Sequence, residues 1–150
     1  LVNAALRKTE KELGQHRVTA SFAPDLPLAS LDAVLMEQIL TNLLMNAACH
    51  TAPGVQVAVS ARASGSELIL SVADGGPGLS PESLPHLFEK FYRVPGAPSG
   101  GAGLGLSIVR GFAEAQGGSV EAANGEDGGA VFTLRFPLAE SPPTAEDPAP

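Results

Sequence analysis

The chain has 150 residues, 44% of them hydrophobic, so it suits a single domain with a sizeable core. Its net charge of −7, with only nine lysines and arginines, argues against general nucleic-acid binding, which needs a positive field. The apolar stretches end before the ~20 residues that a membrane span requires, and no signal-peptide pattern opens the chain. The single cysteine, Cys49, excludes an internal disulfide and suits the reducing cytosol.

Hydrophobic periodicity and turn residues predict helices that alternate with β-hairpins. In chain order the predicted elements are a helix over 1–14, a strand over 16–22, a helix over 33–50, a hairpin of strands 55–63 and 67–74, a short helical piece within 81–91, a helix over 104–116, and a hairpin of strands 119–124 and 130–137. Asp32 can cap the long helix. We expect an α+β fold, a two-layer α/β sandwich with helices on one face of a mixed, mostly antiparallel sheet. Residues 139–150 are rich in proline and acidic residues, which predicts a disordered tail after a domain over 1–138.

The long helix carries the first candidate site. Its predicted buried face consists of Val34, Leu35, Ile39, Leu40, Leu43, Leu44 and Ala47. Gln38, Asn42 and Asn46 recur every four residues and so form a polar ribbon along another face. An asparagine carbonyl is a hard ligand suited to Mg²⁺, and its amide can reach a phosphate. The spacing alone leaves a ligand site and an ordinary solvated helix face equally open.

Two glycine-rich segments supply the other candidates. Asp74 ends an apolar strand, where a carboxylate can accept a hydrogen bond from an exocyclic amine, and Gly76 and Gly78 would let the backbone approach a flat ring. Alone, this segment would usually be a surface turn. The segment GGAGLGL (100–106) leads into a helix, whose N-terminal N–H groups favour phosphate. A dinucleotide-binding turn is a weaker interpretation of this segment, because no strand runs directly into these glycines. A flexible linker would explain the glycines but not the helix that begins among them.

In this order and separation, the segments resemble the ATP-binding fold shared by DNA gyrase, the large heat-shock ATPase chaperones, MutL and histidine kinases, the GHKL superfamily. The resemblance to bacterial sensor histidine kinases is closer and covers about residues 1–138. The segments similar to that family's boxes are ILTNLLMNAACHT (39–51, N box), VADGGPGLS (72–80, first glycine box), LFEKFYRV (87–94, F box) and GGAGLGLSIVRGFAEAQGG (100–118, second glycine box). Within the family, residues 16–40 look most like KdpD, a potassium-responsive sensor kinase.

The resemblance implies an ATP-binding catalytic domain with ATP and Mg²⁺ as cofactors. Asn46 would coordinate the Mg²⁺ that bridges the ATP phosphates, with Asn42 assisting one turn away. Asp74 would bind the adenine amino group, and Arg93 is the candidate for the γ-phosphate. Residues 88–103 would form a mobile lid over the phosphates. The other implied nucleotide contacts are His50, Gly76, Gly78, Lys90, Gly101, Gly103, Leu104, Gly105 and Leu106.

The resemblance also indicates which reaction to expect. ATPases of the superfamily carry a water-activating glutamate one helical turn before the metal-binding asparagine, and here that position resembles Asn42, a poor base. Phosphoryl transfer to a protein histidine is therefore favoured over hydrolysis. None of His16, His50 and His86 precedes an acidic residue, as the family's acceptor usually does. The acceptor should lie on an upstream dimerisation helix of the same kinase, which matches a chain that begins with Leu1 rather than a methionine.

The resemblance further implies a monomeric cytoplasmic domain of a membrane-anchored sensor kinase, with a response regulator downstream. We expect Phe88 and Phe91 to pack the lid onto the body, and His16 and His86 to be surface residues. Cys49 stands where family members often have lysine or arginine, and should be a small, half-buried side chain. Three alternatives stay open: a non-catalytic nucleotide sensor, a gyrase-type ATPase and an anti-sigma serine kinase.

Overall fold

The computed structural model describes residues 1–24, 26, 31–92 and 105–138. The helices and strands in these ranges are α1 (Val2–Lys8), α2 (Glu10–Leu13), β1 (Arg17–Phe22), α3 (Ala33–His50), β2 (Gln56–Ser64), β3 (Glu67–Asp74), a 3₁₀ turn (Leu84–His86), α4 (Gly105–Glu114), β4 (Ser119–Asn124) and β5 (Ala130–Pro137). None of these helices combines the length and the apolarity that a bilayer span requires. The predicted tail 139–150 lies outside the described residues.

The strands form one five-stranded sheet in the order β1-β2-β3-β5-β4. β1 runs parallel to β2, and the other neighbouring strands are antiparallel. Buried and more exposed side chains alternate along β2 and β5, and α3 and α4 pack on the face of the sheet that carries the buried ones. The residues at the centre of this core are Ile39, Leu40, Leu43, Leu44, Val57, Val59, Val72, Val109, Phe132, Leu134 and Phe136. The predicted α+β sandwich is confirmed.

Helix α3 is the central element of the helical layer. It begins at the predicted cap, where Asp32 Oδ1 accepts hydrogen bonds from Val34 N at 2.9 Å and Leu35 N at 3.0 Å. The predicted buried face is wrong at its start, because Val34 is 75% exposed and Leu35 is only half-buried. Met36 is buried in their place. Val34 lies two residues before Met36, a rotation of about 200° around the helix, so the two side chains point to opposite sides.

The N-terminal segment departs from the predicted single helix over 1–14. It divides at Thr9 into α1 and α2, and the buried Thr9 hydroxyl donates to Ala5 O at 2.9 Å. A threonine hydroxyl that bonds the carbonyl four residues back bends a helix. The predicted helical piece within 81–91 is a single 3₁₀ turn, and the helix predicted over 104–116 is α4, with residue 104 outside the described ranges.

Candidate functional site

The polar ribbon of α3 reaches the start of α4. Gln38 Nε2 donates to Asn42 Oδ1 at 2.9 Å, and Asn42 Nδ2 donates to the carbonyl oxygen of Gly105 at 3.3 Å. The fold therefore brings the N box against the second glycine segment, 63 residues further along the chain. The first N–H groups of a helix lack partners within that helix, so the start of α4 offers donors for an anion. We call Asn42, Asn46 and Gly105 the Gly105 side of the site.

Asn46 lies one turn beyond Asn42 and is half-buried. Its side chain forms no hydrogen bond with any other described residue, so its carbonyl and its amide are both available. In the described ranges, no three His, Cys, Asp or Glu side chains gather to hold a metal ion. An asparagine carbonyl oxygen is a ligand that Mg²⁺ accepts, and Mg²⁺ in nucleotide sites usually takes other oxygens from phosphates and water.

Asp74 has one fixed and one free carboxylate oxygen. Oδ1 accepts hydrogen bonds from Gly76 N at 2.9 Å and from Ala130 N at 3.2 Å, which orient the half-buried group. Oδ2 has no hydrogen-bond partner among the described residues. This oxygen can accept a hydrogen bond from an amine that enters the site.

The end of α3 packs against the first glycine segment. A Cβ at Gly76 would lie 2.7 Å from Thr51 Cγ2, so only glycine fits there without movement of Thr51. The Thr51 hydroxyl donates to Ala47 O at 2.7 Å and is 2.8 Å from His16 Nε2. We call Thr51, Asp74 and Gly76 the Asp74 side of the site. His16 is half-buried in this contact, so its prediction as a surface residue is wrong.

The turn between β4 and β5 supports Asp74, and the sequence interpretation missed it. Gly129 is buried with φ +78°, and a Cβ there would overlap the backbone carbonyl of Asp74. The next residue supplies the amide that holds Asp74 Oδ1. Gly128 and Gly129 lie in the turn of the hairpin predicted over 119–137, and a glycine pair in such a turn does not by itself indicate a contact with a distant residue.

Asn124 is a second residue that the interpretation missed. Its Oδ1 accepts from Leu79 N at 2.6 Å, and its Nδ2 donates to Leu79 O at 2.9 Å. Gly78, with φ +84°, leaves room for this amide, because a Cβ there would lie 2.7 Å from Asn124 Oδ1. The end of β4 therefore clamps the far end of the first glycine segment.

The remaining predicted site residues are placed in two groups. His50 and Lys90 are exposed, Gly105 opens α4, and Leu106 is half-buried against the core. Arg93, Gly101, Gly103 and Leu104 lie outside the described residues, as does most of the predicted lid.

Three predicted environments near the site can be compared with the structure. Phe88 packs edge-on against Phe132, with ring centroids 6.2 Å apart, as expected of a residue that joins the F box to the body. Phe91 is 68% exposed, so its predicted packing is wrong, and its backbone has a φ of 64°. Cys49 is exposed rather than half-buried, because α3 presents it on the side away from the sheet.

Comparison with known proteins places these features in a family. The family described as histidine kinase-, DNA gyrase B-, and HSP90-like ATPase matches residues 31–140. The chain belongs to this family. Its relatives include the histidine-protein kinase AfsQ2 of Streptomyces coelicolor, 45% identical over 81% of this chain and 23% of that protein. The sensor protein RstB of Escherichia coli is 44% identical over 73% of this chain and 26% of that protein. The chain thus spans about a quarter of the length of these relatives.

Solved structures agree with this assignment. The mycobacterial sensor histidine kinase MprB matches with a TM-score of 0.82 over 91% of this chain and 93% of that chain, and at 24% identity it supports the fold. Full-length ShkA, solved in complex with AMPPNP, matches with a TM-score of 0.79 and 29% identity over 93% of this chain and 30% of that chain. The prediction of an ATPase-family domain of a bacterial sensor histidine kinase, in the GHKL superfamily, is confirmed.

Proposed function

We propose that this domain binds Mg²⁺-ATP and donates the γ-phosphate to a histidine on the dimerisation helix of the same kinase. The observation that carries the proposal is the Asp74 carboxylate, whose Oδ1 is fixed by backbone amides while Oδ2 is free. An acceptor held in this way suits the 6-amino group of adenine, because a pre-oriented group loses little freedom on binding. Gly76 and Gly78 shape the space beside it, and exposed His50 is available to cover the base.

The phosphates would lie on the Gly105 side. Asn46 would hold Mg²⁺ through its carbonyl oxygen, and the ion would supply positive charge to the phosphate oxygens. The backbone amides of Gly105 and Leu106 would donate to phosphate at the start of α4. We assign Arg93, Lys90, Gly101, Gly103 and Leu104 to the phosphates and the lid on the family resemblance.

The contacts of Asn42 favour phosphoryl transfer over hydrolysis. Its carbonyl accepts from Gln38, and its amide donates to Gly105 O. An amide engaged at both ends is no general base and leaves an attacking water unactivated. Its role here is to hold the start of α4 in place for the phosphates. The protein histidine that attacks the γ-phosphorus needs no such base when its imidazole is neutral.

The partners and the setting follow from this role. We propose a monomeric cytoplasmic domain of a membrane-anchored sensor, which meets the phosphoacceptor domain of its own kinase, while a response regulator takes the phosphoryl group from the histidine. A KdpD-like kinase is the candidate subtype, because the similarity to KdpD of Escherichia coli, at 34% identity, extends over 97% of this chain and 16% of that protein. The higher identities to AfsQ2 and RstB support the broader class of sensor kinases.

The non-catalytic nucleotide sensor remains a second candidate because of Cys49. It is exposed at the end of α3 and provides no positive charge for a phosphate. In this case the domain would bind nucleotide without transferring phosphate.

Calorimetric titration of Mg²⁺-ATP and Mg²⁺-ADP tests the site. We expect saturable binding to the native protein. The affinity should fall roughly tenfold or more in Asn46→Ala, which removes a ligand to the ion, and also when Mg²⁺ itself is left out. Asn3→Ala, on the exposed surface of α1, is the matched control and should bind as the native protein does. No binding by the native protein at millimolar nucleotide would contradict the proposal.

Incubation with labelled ATP and a separately supplied phosphoacceptor domain tests the reaction. A kinase domain should place acid-labile phosphate on the acceptor and release little phosphate without it. Binding without transfer would favour the nucleotide sensor. Phosphate release without any acceptor would indicate a gyrase-type ATPase.

A further inference from the structure

His16 connects the start of β1 to the end of α3. Its Nε2 lies 2.8 Å from Thr51 Oγ1, although the two residues are 35 positions apart in the chain. The Thr51 hydroxyl also lies 2.7 Å from the carbonyl oxygen of Ala47. A backbone hydrogen bond of 2.7 Å from Gly54 N to Gln15 O reinforces the same junction. The ring of His16 is therefore fixed against the turn that follows α3.

These contacts assign the ring proton of His16. A hydroxyl has one hydrogen, and the Thr51 hydroxyl donates it to Ala47 O. Nε2 must then carry the proton and donate to Thr51 Oγ1, which leaves Nδ1 as a buried acceptor without a partner among the described residues. In the other tautomer, Nδ1 would carry the proton, and this buried N–H would lack an acceptor. Thr51 would then have to donate to Nε2, so lone pairs of Thr51 Oγ1 and Ala47 O would face each other. That arrangement costs more free energy.

The methyl branch of Thr51 faces the first glycine segment. A Cβ at Gly76 would lie 2.7 Å from Thr51 Cγ2 and 3.1 Å from Asp74 Oδ1. Thr51 Cγ2 therefore lies beside the peptide whose N–H holds the Asp74 carboxylate. Oγ1 and Cγ2 are both bonded to Cβ and rotate together about χ1, so the hydrogen bonds that fix Oγ1 also fix Cγ2.

We propose that His16 is a positioning residue for recognition of the adenine base, and that it acts through Thr51 on the turn formed by Asp74 and Gly76. This inference rests on the proposed function, which gives the adenine amino group to Asp74. His16 stays outside the nucleotide site in this role. When its hydrogen bond is lost, Thr51 Oγ1 is held only by its hydrogen bond to Ala47 O, and the turn that orients Asp74 Oδ2 loosens.

The test compares Mg²⁺-ADP with Mg²⁺-inosine diphosphate, which has a carbonyl where adenine has its 6-amino group. We expect the native protein to prefer ADP. His16→Leu should weaken ADP binding roughly five- to tenfold, the effect of one buried hydrogen bond, and leave inosine diphosphate within about twofold. Thr51→Val, which keeps the shape and removes the hydroxyl, should behave in the same way. His16→Gln, whose amide can still donate to Thr51, should restore most of the preference.

Thr19→Val on exposed β1 is the matched control and should bind both nucleotides as the native protein does. Thermal unfolding establishes that each variant is folded, and if His16→Leu is not, Thr51→Val provides the same comparison. Equal losses for both nucleotides, an unchanged preference, or failure of His16→Gln to restore it would overturn the role of His16. A native protein that binds neither nucleotide, or that shows no preference for ADP, would overturn the proposed function, and this inference with it.

Discussion

The two sides of the proposed nucleotide site are held in different ways. On the Asp74 side, backbone amides fix Asp74 Oδ1, and Asn124 clamps Leu79 through both its amide atoms. On the Gly105 side, Asn42 Nδ2 donates a longer hydrogen bond, of 3.3 Å, to the carbonyl oxygen of Gly105. Asn46 has no described partner at all.

This difference implies that the orientation of Asp74 is set before nucleotide binds, whereas the orientation of Asn46 depends on the bound nucleotide. The Asp74 carboxylate, to which we assign the base, is oriented by hydrogen bonds within the fold, so substitutions around it should change stability and binding together. Asn42 and Asn46, to which we assign the phosphates and Mg²⁺, make one hydrogen bond to α4 between them in the described residues, so their substitution should change the binding of phosphates and leave stability nearly unaltered.

Gly129→Ala should have the largest effect. Its Cβ would overlap the backbone of Asp74, and its φ of +78° is strained for any residue with a side chain. We expect a loss of at least about 3 kcal/mol in the free energy of unfolding, together with loss of ADP binding. Chemical denaturation measures the first quantity and calorimetry the second.

Gly128→Ala is the matched control, since it has φ +84° and no atom within 4 Å of its Cβ. Gly128→Ala should lower the free energy of unfolding by roughly 1–2 kcal/mol, because it introduces backbone strain alone. Equal losses in the two alanine variants would show that contact with Asp74 is unimportant.

Asp74→Asn should weaken ADP binding roughly 30- to 150-fold, because the free oxygen would be replaced by an amide NH₂ group that cannot accept a hydrogen bond from the adenine amino group. The remaining oxygen can still accept from Gly76 and Ala130, so the free energy of unfolding should fall by less than about 1 kcal/mol. Asp127→Asn, in the exposed turn between β4 and β5, is the control and should bind normally. Unaltered ADP affinity in Asp74→Asn would remove this carboxylate from the site.

Asn124→Ala should lower the free energy of unfolding by about 1–2 kcal/mol, because Leu79 loses both of its partners. ADP affinity should fall about three- to tenfold as the first glycine segment loosens. Asn124→Asp retains the acceptor for Leu79 N and should lose about half as much stability. Denaturation of the three proteins in parallel provides the measurement, and full stability in Asn124→Ala would contradict the clamp.

Asn42→Ala should have the smallest effect and should weaken only the part of the binding that comes from the phosphates. Losing the hydrogen bond to Gly105 should weaken ADP binding by about 1 kcal/mol, roughly fivefold, while adenosine binding and stability stay near native values. Gln38→Ala keeps the Gly105 contact and is the control. A comparable loss of adenosine affinity in Asn42→Ala would mean that the two sides are not separate.

Local signals predicted most of the fold. The capping carboxylate of Asp32 and the breaker Pro53-Gly54 mark the limits of α3, and alternating apolar residues mark β4 and β5, whose observed bounds match the predicted ones. The bend at Thr9 was missed, because a threonine within an amphipathic pattern gives no sign that its hydroxyl will bond back to Ala5.

The kinds of residue at the proposed site, their order and their family can be predicted from the amino-acid sequence alone. How these residues are held depends on the packing of distant segments. Ala130 and Asn124 reach the first glycine segment across 56 and 45 residues, and His16 reaches Thr51 across 35. Such contacts depend on how the sheet and helices pack to within a few tenths of an ångström, and no local pattern of residues encodes that distance.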